Sequence, residues 1–529
     1  YLSKPNGKKM KIAMITGKTN HDSIIQPGIS CADSSLPENI RIVDRNRDKI
    51  LKYVKENPFL KNPEGIGMGN VRRITIAAAN PYWGPIVPTS FELKSLTDAD
   101  KKRYIGCDGT DYTFYHRKKG CSYYDQYLSY TDADAIIFNS AKYRAELSIG
   151  RKPLTEVDII DEADEFLDNF FQQDELNLTR ILFALKNFHT EYREVKESLE
   201  KMAKFIESEE KNKKVLGVDE NKVLKISNTK IKAFLEELIK NSDLEAEITL
   251  DELNYLNQAL SAAQEFKDTL DEVYLTYRKD GDDNIFVRLV STDITGKFKD
   301  LLEKTKTLVF MSGTLHSESI IKNIFGIKDY VVVNAEELNF GSIEIFMTGK
   351  EFDCKYSNFI SKRHSRKDYL TALSKCLEKS KKPVLIQVHS FKDLPTNEEK
   401  EDFGIDNLIE SEGLRDLQRE DKTGKAISDF KKGLTPSLFS TKCSRGVDFP
   451  GETCNSIVFT KYPNPNVSDT FWKVLQQTHK DHYWEFYKDK AWREFLQRIY
   501  RALRSRDDNV VILSPDLRVL QAVRKLQMS

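Results

Sequence analysis

Short apolar runs separated by helix-length segments restrict the fold of this sequence more than any other feature. The runs lie at residues 135–138, 157–160, 307–310, 331–333, 384–386, 456–459 and 510–513. Each has the length of a buried strand, and strands that alternate with helices pair in parallel. The sequence therefore predicts an α/β fold with parallel sheets covered by helices.

With 529 residues the chain is too long for one hydrophobic core, so several domains are expected. Lysine plus arginine and aspartate plus glutamate both number 82, so the formal net charge is zero. Any nucleic acid would therefore be bound by local basic surfaces rather than by the overall field of the protein.

The seven cysteines are scattered and odd in number, which argues against a disulfide framework. No apolar stretch approaches the ~18 residues of a membrane span, and we find no secretory signal at the start. These features predict a cytoplasmic protein, associated with the nucleoid if its source is prokaryotic.

Residues 172–280 have a helical texture, with one glycine and no proline. Apolar residues recur there in steps of three and four at Leu185, Phe188, Tyr192, Val195, Leu199, Met202 and Ile206, and again at Leu253, Leu256, Leu260 and Ala263. Such stripes predict one long helix that packs against a second, antiparallel helix. We interpret this stretch as a helical insertion and not as a functional site.

Two acidic residues, Asp161 and Glu162, follow the apolar run at 157–160. Carboxylates in that position lie at the C-terminal edge of a parallel sheet, where α/β folds bind ligands. In nucleotide hydrolysis the first acid can hold Mg²⁺, and the second can orient or deprotonate the attacking water. The alternative is an ordinary acidic helix start, because acids favour the first helical turn.

Two further segments combine small or glycine residues with polar side chains. The run at 307–310 is followed by Ser312, Gly313 and Thr314, whose hydroxyls can hydrogen-bond toward a carboxylate without crowding it. The loop at 444–451 contains Gly446, which allows close backbone approach to a ligand, and Asp448, which supplies an acceptor. A simple strand-and-turn and a tight Pro-Gly loop are the alternatives.

Gln497, Arg501 and Arg504 have the spacing i, i+4 and i+7, which places them on one face of a helix. Two arginines on one side can clamp a γ-phosphate and the charge that develops in its transition state. A solvated basic helix face is the alternative.

The order of these motifs is that of superfamily 2 helicases. Met-Ser-Gly-Thr-Leu at 311–315, Arg-Gly-Val-Asp-Phe-Pro-Gly at 445–451 and Gln-Arg-Ile-Tyr-Arg-Ala-Leu-Arg-Ser at 497–505 resemble the XPD/DinG-like iron–sulfur-domain DNA helicases. The resemblance spans residues 120–520. It implies two RecA-like motor domains of the P-loop NTPase type, the first interrupted by a Cys/aromatic, iron–sulfur-like domain and by an α-helical arch domain.

The resemblance also implies where the domains lie. In chain order they are a remnant of motor domain 1 at 1–20, the iron–sulfur-like insertion at 21–125, motor domain 1 with its acidic motif at 126–171, the helical arch at 172–285, the last strands of motor domain 1 at 286–325, and motor domain 2 at 326–529.

Each motif receives a role from the same resemblance. The implied roles are Mg²⁺ binding and water activation for Asp161 and Glu162, coupling of hydrolysis to DNA movement for Ser312, Gly313 and Thr314, a place between the motor domains for Gly446 and Asp448, and contact with the nucleotide for Gln497, Arg501 and Arg504. Tyr500 stands where the family usually has glycine, which leaves the local helix or loop geometry open.

No Gly-x-x-x-x-Gly-Lys-Ser/Thr phosphate loop occurs in the chain, although such helicases need one before the acidic motif. The nearest segment, at 11–19, has Ile12 in place of the first glycine and would lack the tight turn. Residues 16–20 instead resemble the Gly-Arg-x-Asn segment that opens the family's iron–sulfur domain. We therefore expect the phosphate loop to precede Tyr1.

The family holds a 4Fe–4S cluster with four cysteines ahead of the acidic motif. Here that span contains Cys31, Cys107 and Cys121, and Cys121 resembles the family's last ligand. Ser23 and Asn80 stand where cysteines are expected, and their side chains are poor substitutes for thiolate. A bound cluster is one reading, and cysteines that serve as small buried hydrophobes are the other.

Two basic segments are candidates for contact with single-stranded DNA. His-Arg-Lys-Lys at 116–119 lies among Tyr112, Phe114, Tyr115, Tyr123 and Tyr124, a mixture that suits phosphates and stacked bases. A second basic segment lies at 361–367. A solvated surface is the alternative for both.

The resemblance implies ATP hydrolysis with Mg²⁺ that drives translocation on single-stranded DNA, with 5′-to-3′ polarity, and strand separation at DNA forks in repair or replication. One alternative is a related DEAD-type ATPase that acts on RNA. The other is a degenerate, non-enzymatic scaffold that binds DNA or other proteins.

Overall fold

The computed structural model describes residues 3–170, 174–250, 254–267, 269–334, 341–421, 423–443 and 446–528. The chain divides into two compact units. Unit 1 comprises Tyr1–Ser312 and Val467–Lys480, and unit 2 comprises Gly313–Asn466 and Asp481–Ser529. The chain thus first leaves unit 1 after Ser312.

Strands and helices alternate through much of the described chain. The strands are β1 (Ile12–Ile15), β2 (Ile86–Pro88), β3 (Asp100–Ile105), β4 (Asp111–His116), β5 (Ala135–Phe138), β6 (Asp158–Ile160), β7 (Asp174–Asn177), β8 (Leu224–Lys225), β9 (Val273–Lys279), β10 (Ile285–Ser291), β11 (Leu308–Phe310), β12 (Ser342–Ile345), β13 (Val384–Gln387), β14 (Ser437–Ser440), β15 (Ser456–Phe459) and β16 (Asn509–Leu513). The α-helices are α1 (Arg47–Glu56), α2 (Arg73–Ala77), α3 (Ser122–Asp125), α4 (Ser129–Asp132), α5 (Ser140–Ser148), α6 (Ala163–Phe170), α7 (Leu178–Lys186), α8 (Arg193–Leu216), α9 (Ile231–Lys240), α10 (Ser242–Leu250), α11 (Tyr255–Glu265), α12 (Ile294–Glu303), α13 (Glu318–Asn323), α14 (Tyr356–Ile360), α15 (Arg366–Lys379), α16 (Asn397–Phe403), α17 (Ser411–Glu420), α18 (Lys425–Lys431), α19 (Thr470–Thr478), α20 (Lys480–Ile499) and α21 (Leu517–Met528).

Unit 2 is built on a five-stranded parallel sheet with the strand order β12-β16-β15-β13-β14. Every residue of β13 and β15 is buried. Val384 and Ile386 pack with α15 on one face, and Leu385 packs with α20 and α21 on the other. Because helices cover both faces, these strands are mostly apolar instead of alternating, with Gln387 and Ser456 as their buried polar residues. The predicted parallel α/β architecture is confirmed.

The apolar run at 331–333 does not form the predicted strand. Its three valines lie outside the strands and are 89%, 60% and 88% exposed. The edge of the sheet is formed instead by β12, which pairs in parallel with β16. Three β-branched residues favour an extended backbone, but without a neighbouring ladder or a core to cover them they do not make a strand.

Unit 1 contains two parallel strand pairs, β1 with β5 and β6 with β11. The second pair joins residues 150 positions apart in sequence, Asp158 with Leu308 and Ile160 with Phe310. Both strands of that pair were predicted from their apolar runs. Their parallel register places the segments that follow Ile160 and Phe310 at the same edge.

The stretch predicted as a helical insertion is helical but not entirely so. Helices α7, α8, α9 and α11 share one apolar core with an antiparallel sheet of order β7-β10-β9-β8, which was not predicted. The predicted long helix is interrupted between α7 and α8 at residues 187–192, so the stripe from Leu185 to Ile206 runs over two helices. Leu256, Leu260 and Ala263 lie buried on α11, whereas Leu253 lies outside the described residues.

The Cys- and Tyr-rich part of unit 1 forms a three-stranded antiparallel sheet, β2-β4-β3, with short helices around it. Its core consists largely of aromatic rings, including Phe114 and Tyr127, in edge-to-face contacts at centroid distances of about 5–6 Å. No helix of the described chain is both long and apolar enough to cross a membrane.

Candidate functional site

The acidic turn of unit 1 begins where β6 ends. The Glu162 N–H donates to the Asp161 carboxylate at 2.9 Å, and Glu162 adopts the left-handed backbone conformation with φ 49°. That conformation costs a non-glycine residue roughly 1–2 kcal/mol and is enriched at functional turns. Backbone bonds from Met311 to Ile160 and from Ala163 to Met311, both 2.9 Å, hold the turn against the end of β11. Asp161 and Glu162 therefore lie at the strand edge, as predicted.

Ser312 and the acidic turn are joined by a direct hydrogen bond. The Ser312 hydroxyl donates to Asp164 Oδ1 at 2.8 Å, and the Asp164 side chain is fully buried in the first turn of α6. The predicted bond from a small hydroxyl to a neighbouring carboxylate is thus present. Its acceptor is the last acid of the Asp-Glu-Ala-Asp sequence.

A buried ion pair, which sequence reasoning missed, anchors the strand that carries these acids. Lys152 Nζ lies 3.0 Å from Asp158 Oδ2, and both side chains are almost fully buried. Tyr143 donates to the same carboxylate at 2.8 Å, and burial together with the Asp158 charge raises the pKa of Tyr143. Lys152 also donates to Thr155 at 2.8 Å. The signal in the sequence was a lysine flanked by Arg151 and Pro153, which does not reveal burial.

In unit 2, the side chain of Gln497 is held near the end of α20. Its amide donates to the Thr314 hydroxyl at 2.8 Å, and both residues are buried. Gly313 and Thr314 belong to unit 2, whereas Ser312 belongs to unit 1. The three residues predicted to act in coupling therefore span the first of the points at which the chain passes from one unit to the other.

Arg501 and Arg504 converge on Asp448, although not from a helix. Arg501 Nη1 lies 3.0 Å from Asp448 Oδ1, and Arg504 pairs with the same oxygen. Burial alone would raise the pKa of Asp448, but the two guanidinium groups hold it below its usual value. Two cations on one carboxylate leave a net positive charge, which suits a phosphate.

The prediction that these arginines continue the face of a helix is wrong, because α20 ends at Ile499. Asp508 terminates the following turn by accepting the N–H groups of Arg504 and Ser505. The Arg501 carbonyl accepts the N–H of Phe449 at 2.7 Å, so this turn is bound to the loop that carries Asp448. A capped turn replaces the helix while bringing the predicted residues together.

Gly446 begins the described part of that loop. Its φ of 73° lies in the region that favours glycine, and a Cβ added there would meet no atom within 4 Å. Backbone conformation, rather than lack of space, therefore explains the glycine. Ser444 and Arg445 lie outside the described residues.

The segment at 16–20 does not form a phosphate loop. β1 ends at Ile15 and leads to a short 3₁₀ turn at Lys18–Asn20, with no α-helix after it. Lys18 donates to Asn39 Oδ1 at 3.2 Å and lies over the ring of Tyr123. A phosphate loop needs a helix N-terminus directed at the phosphates, so the structure agrees with the interpretation of this segment as the start of the Cys/aromatic region.

The cysteines do not make a set of four ligands. Cys31 and Cys121 are buried with their sulfurs 3.9 Å apart, whereas Cys107 bonds through its backbone to Gly150 and Lys152. A hydrogen bond from Cys31 lowers the pKa of Cys121 to about 7, although burial opposes that change. No group of three or more metal-ligating side chains occurs in the described parts of the chain. The residues present therefore do not fit a 4Fe–4S cluster, which takes four thiolates bound to separate irons.

The aromatic residues predicted to stack on DNA bases belong to the core instead. Tyr112, Phe114, Tyr115, Tyr123 and Tyr124 are at most 6% exposed. Four consecutive residues of β4, from Tyr112 to Tyr115, are buried, so both faces of this strand are covered.

Arg117 also differs from the prediction. Its side chain is almost fully buried, pairs with Asp98 and donates to the carbonyls of Ala78 and Asn80. Lys118 and Lys119 remain exposed, as do Lys362, Arg363 and Lys367 in the second basic segment. Among the cations of these two segments, those five are the exposed ones.

Comparison with known proteins identifies the C-terminal part of the chain. Residues 359–529 match the family model of the helicase C-terminal domain. No curated protein matches the sequence. The similar solved structures include one named "XPD_Helicase", at 15% identity, a TM-score of 0.48 and coverage of 98% of this chain and 86% of that chain. Another, named "XPD_APO", has 18% identity, a TM-score of 0.44 and coverage of 77% and 83%. The family match agrees with the helicase resemblance over the C-terminal third of the chain, residues 359–529.

Proposed function

We propose that this chain is an XPD-like superfamily 2 helicase that couples ATP hydrolysis to translocation on single-stranded DNA and to unwinding of duplexes. The observation that carries the proposal is the Ser312–Gly313–Thr314 segment. Ser312 is bound to Asp164 within unit 1, and Thr314 is bound to Gln497 within unit 2. One short peptide segment is thus anchored beside the predicted hydrolytic acids and beside the predicted phosphate-binding arginines.

The hydrolytic roles follow from the chemistry of the two sets of residues. Asp161 would hold Mg²⁺, which when bound neutralises the charge of the phosphates, and Glu162 would orient the attacking water. Arg501 and Arg504 would bind the γ-phosphate in exchange for Asp448, their partner in this structure. Because a carboxylate already occupies the arginine pair, nucleotide binding would be linked to movement of the loop at 446–451.

We also propose which residues form each domain of this helicase. We assign residues 21–125 to an iron–sulfur-like domain without its cluster, 172–285 to the arch and 326–529 to motor domain 2, with motor domain 1 divided among the remaining segments. The apolar core shared by α7–α9, α11 and β7–β10 supports the grouping of residues 172–285 as the arch. The match to the helicase C-terminal domain supports the assignment of residues 326–529 to motor domain 2.

Contact with nucleic acid would rest on the exposed cations. Lys118, Lys119, Lys362 and Arg363 are exposed in two separate segments. Since the formal net charge is zero, only such local groups attract the phosphate backbone. We favour DNA over RNA on the motif resemblance, from which the 5′-to-3′ polarity also comes.

The decisive test is single-stranded-DNA-stimulated ATP hydrolysis. It is measured on the 529-residue chain and on the product of the full open reading frame that encodes it, called here the extended protein, since no phosphate loop occurs within the 529 residues. We expect DNA-dependent turnover in the extended protein and loss of at least about 100-fold in its Glu162→Gln variant. Glu165→Gln, on the exposed surface of α6, is the matched control and should retain turnover.

Two outcomes would contradict the proposal. Stimulation by RNA but not by DNA would favour the RNA-acting alternative. Absence of turnover in the extended protein, with DNA binding intact, would favour the non-enzymatic scaffold. The missing phosphate loop is the observation that keeps the scaffold in consideration.

A further inference from the structure

The span in which cluster ligands are expected holds three cysteines, Cys31, Cys107 and Cys121, and has Ser23 and Asn80 where further cysteines are expected. Ser23 and Asn80 are buried at 5% and 3% exposure. Asn80 uses both ends of its amide, donating to Glu38 at 2.8 Å and accepting the N–H of Tyr82 at 2.9 Å. Ser23 Oγ accepts the N–H of Gln26 at 3.3 Å. Neither side chain is arranged as a metal ligand.

Hydrogen bonds hold this region together in place of metal. Arg73 donates to the carbonyls of Pro37 and Ile40, and Arg117 donates to those of Ala78 and Asn80. His21 links the two ends of the region, since its ring bonds to Thr16 at 2.7 Å and to Ser122 at 2.8 Å. Buried arginines bound to backbone carbonyls and a bridging histidine make a self-sufficient scaffold.

Cys31 and Cys121 meet inside that scaffold. The two sulfurs are 3.9 Å apart and in hydrogen-bond contact, although the residues are separated by 90 positions in sequence. The Asp22 carbonyl oxygen lies 3.3 Å from the Cys31 sulfur and is a second acceptor within reach of its single S–H. A disulfide requires the two sulfurs to approach from 3.9 Å to about 2.05 Å.

We propose that Cys31 and Cys121 are a redox-active thiol pair that forms a reversible intramolecular disulfide in place of a metal cluster. A low-molecular-weight disulfide such as oxidised glutathione is the oxidant. The thiolate of one cysteine attacks a sulfur of that disulfide and releases one glutathione thiolate. The thiolate of the other cysteine then attacks the mixed disulfide, releases the second and completes the Cys31–Cys121 bond. Two protein thiols are oxidised, one glutathione disulfide is reduced, and the two protons pass to the released thiolates.

Access to the pair is provided by the segment around Cys121. Cys121 is buried, but Gly120 and Ser122 on either side are exposed, and Gly120 has a φ of 129°. In this proposal a local displacement of these three residues, which breaks the His21–Ser122 bond, exposes the Cys121 sulfur to solvent. Cys107 is equally buried but has no thiol neighbour among the described residues, so it makes a matched control.

The test uses the full 529-residue chain equilibrated in glutathione buffers that range from reduced to oxidised. Free thiols are alkylated, and the peptides containing Cys31 and Cys121 are identified by mass spectrometry. We expect a disulfide-linked peptide pair in the oxidised buffers, its complete reversal by reduced glutathione, and a rise of about 5 °C in the melting temperature of the oxidised form. Cys107→Ser should behave in the same way, whereas Cys31→Ser and Cys121→Ser should not form the link.

Two results would overturn the proposal, and neither depends on helicase activity. The first is that Cys31 and Cys121 remain unlinked in the folded chain under buffers that link them in the urea-unfolded chain. The second is stoichiometric iron and sulfide in anaerobically purified protein, lost in both single variants, which would show a cluster despite Ser23 and Asn80. Circular dichroism of the serine variants verifies that they fold.

Discussion

Lys152 is a buried residue that stabilises the segment immediately before the acidic turn. Its ammonium group contacts the carboxylate of Asp158, the hydroxyl of Thr155 and the carbonyl of Pro153, at 3.0, 2.8 and 3.2 Å. Removing one partner of a buried pair is costlier than the pair's own net contribution, because the remaining charge stays desolvated. The ion pair between Lys306, which precedes β11, and Glu156 is exposed, so removing one partner leaves no desolvated charge.

We therefore expect Lys152→Met to lower the free energy of unfolding by about 3 kcal/mol and Lys306→Met to lower it by less than about 1 kcal/mol. Urea unfolding followed by circular dichroism measures both. Lys152→Met combined with Asp158→Asn should recover part of the loss, because the second substitution removes the unpaired charge. Equal effects of the two single lysine variants would contradict the role given to burial.

At the level of the element, helix α5 is connected to the turn that follows it by a buried triad. The Glu146 carboxylate is fully buried and forms ion pairs with Arg151 at 2.7 Å and with Lys142 at 2.8 Å. Burial would raise the pKa of Glu146, but these two cations outweigh it and lower the pKa from 4.5 to about 2. The folded form therefore binds this proton more weakly than the unfolded chain does.

The lowered pKa of Glu146 determines how the free energy of unfolding changes with pH. The stability from Glu146 is fully present above its unfolded pKa and is lost as the pH falls toward its folded pKa of about 2. Between pH 6 and pH 3 we expect the wild-type protein to lose roughly 2 kcal/mol through this group. Glu146→Gln should be less stable at pH 6 and should show a correspondingly smaller loss, as measured by urea unfolding at each pH.

Glu200→Gln, on the exposed face of α8, serves as the control for this comparison. It should follow the wild-type pH profile within about 0.5 kcal/mol. An unchanged profile in Glu146→Gln would show that other groups cause the acid sensitivity.

Some of the strands could be predicted from the sequence, and others could not. Apolar runs located the strands β5, β6, β11, β13, β15 and β16. In β13 and β15 the reason is burial on both faces, whereas β5, β6 and β11 are apolar although Ile137, Ile159 and Val309 are exposed. The run at 331–333 failed because apolarity does not reveal whether a neighbouring strand exists. The sheet formed by β7 to β10 was missed because its members are separated by long helices and pair antiparallel.

The sequence identified the candidate site residues but not all of their structural surroundings. Asp161, Ser312 and Gln497 were selected by motif order; the structure shows their local contacts, and their functional roles stay predictions. The end of α20 at Ile499 was not predictable from the spacing of the arginines, since Asp508 terminates the turn from outside the motif. The tyrosines around residue 116 were misassigned because sequence alone does not distinguish a buried ring from an exposed one.

At the scale of the whole molecule, the chain first passes from unit 1 to unit 2 at Ser312–Gly313. The hydrogen bonds on the two sides of that junction include one from Ser312 to Asp164 and one from Gln497 to Thr314, both of 2.8 Å. Gly313 has no atom near its would-be Cβ, which leaves the backbone between the two bonds uncrowded. A short, uncrowded segment anchored at both ends is suited to transmit displacement rather than to perform chemistry.

Loss of either anchor should therefore separate hydrolysis from movement. In Ser312→Ala and Thr314→Val, made in the extended protein, we expect DNA-stimulated ATP hydrolysis within about 3-fold of wild type but duplex unwinding reduced by at least about 10-fold. Neither substitution touches Asp161, Glu162 or the arginine pair, so the hydrolytic groups remain intact. Ser317→Ala, an exposed serine in the same segment, should leave both rates unchanged. If hydrolysis and unwinding fell in equal proportion, these hydroxyls would belong to the hydrolytic site itself, because a purely coupling residue cannot slow the chemical step as much as it slows unwinding.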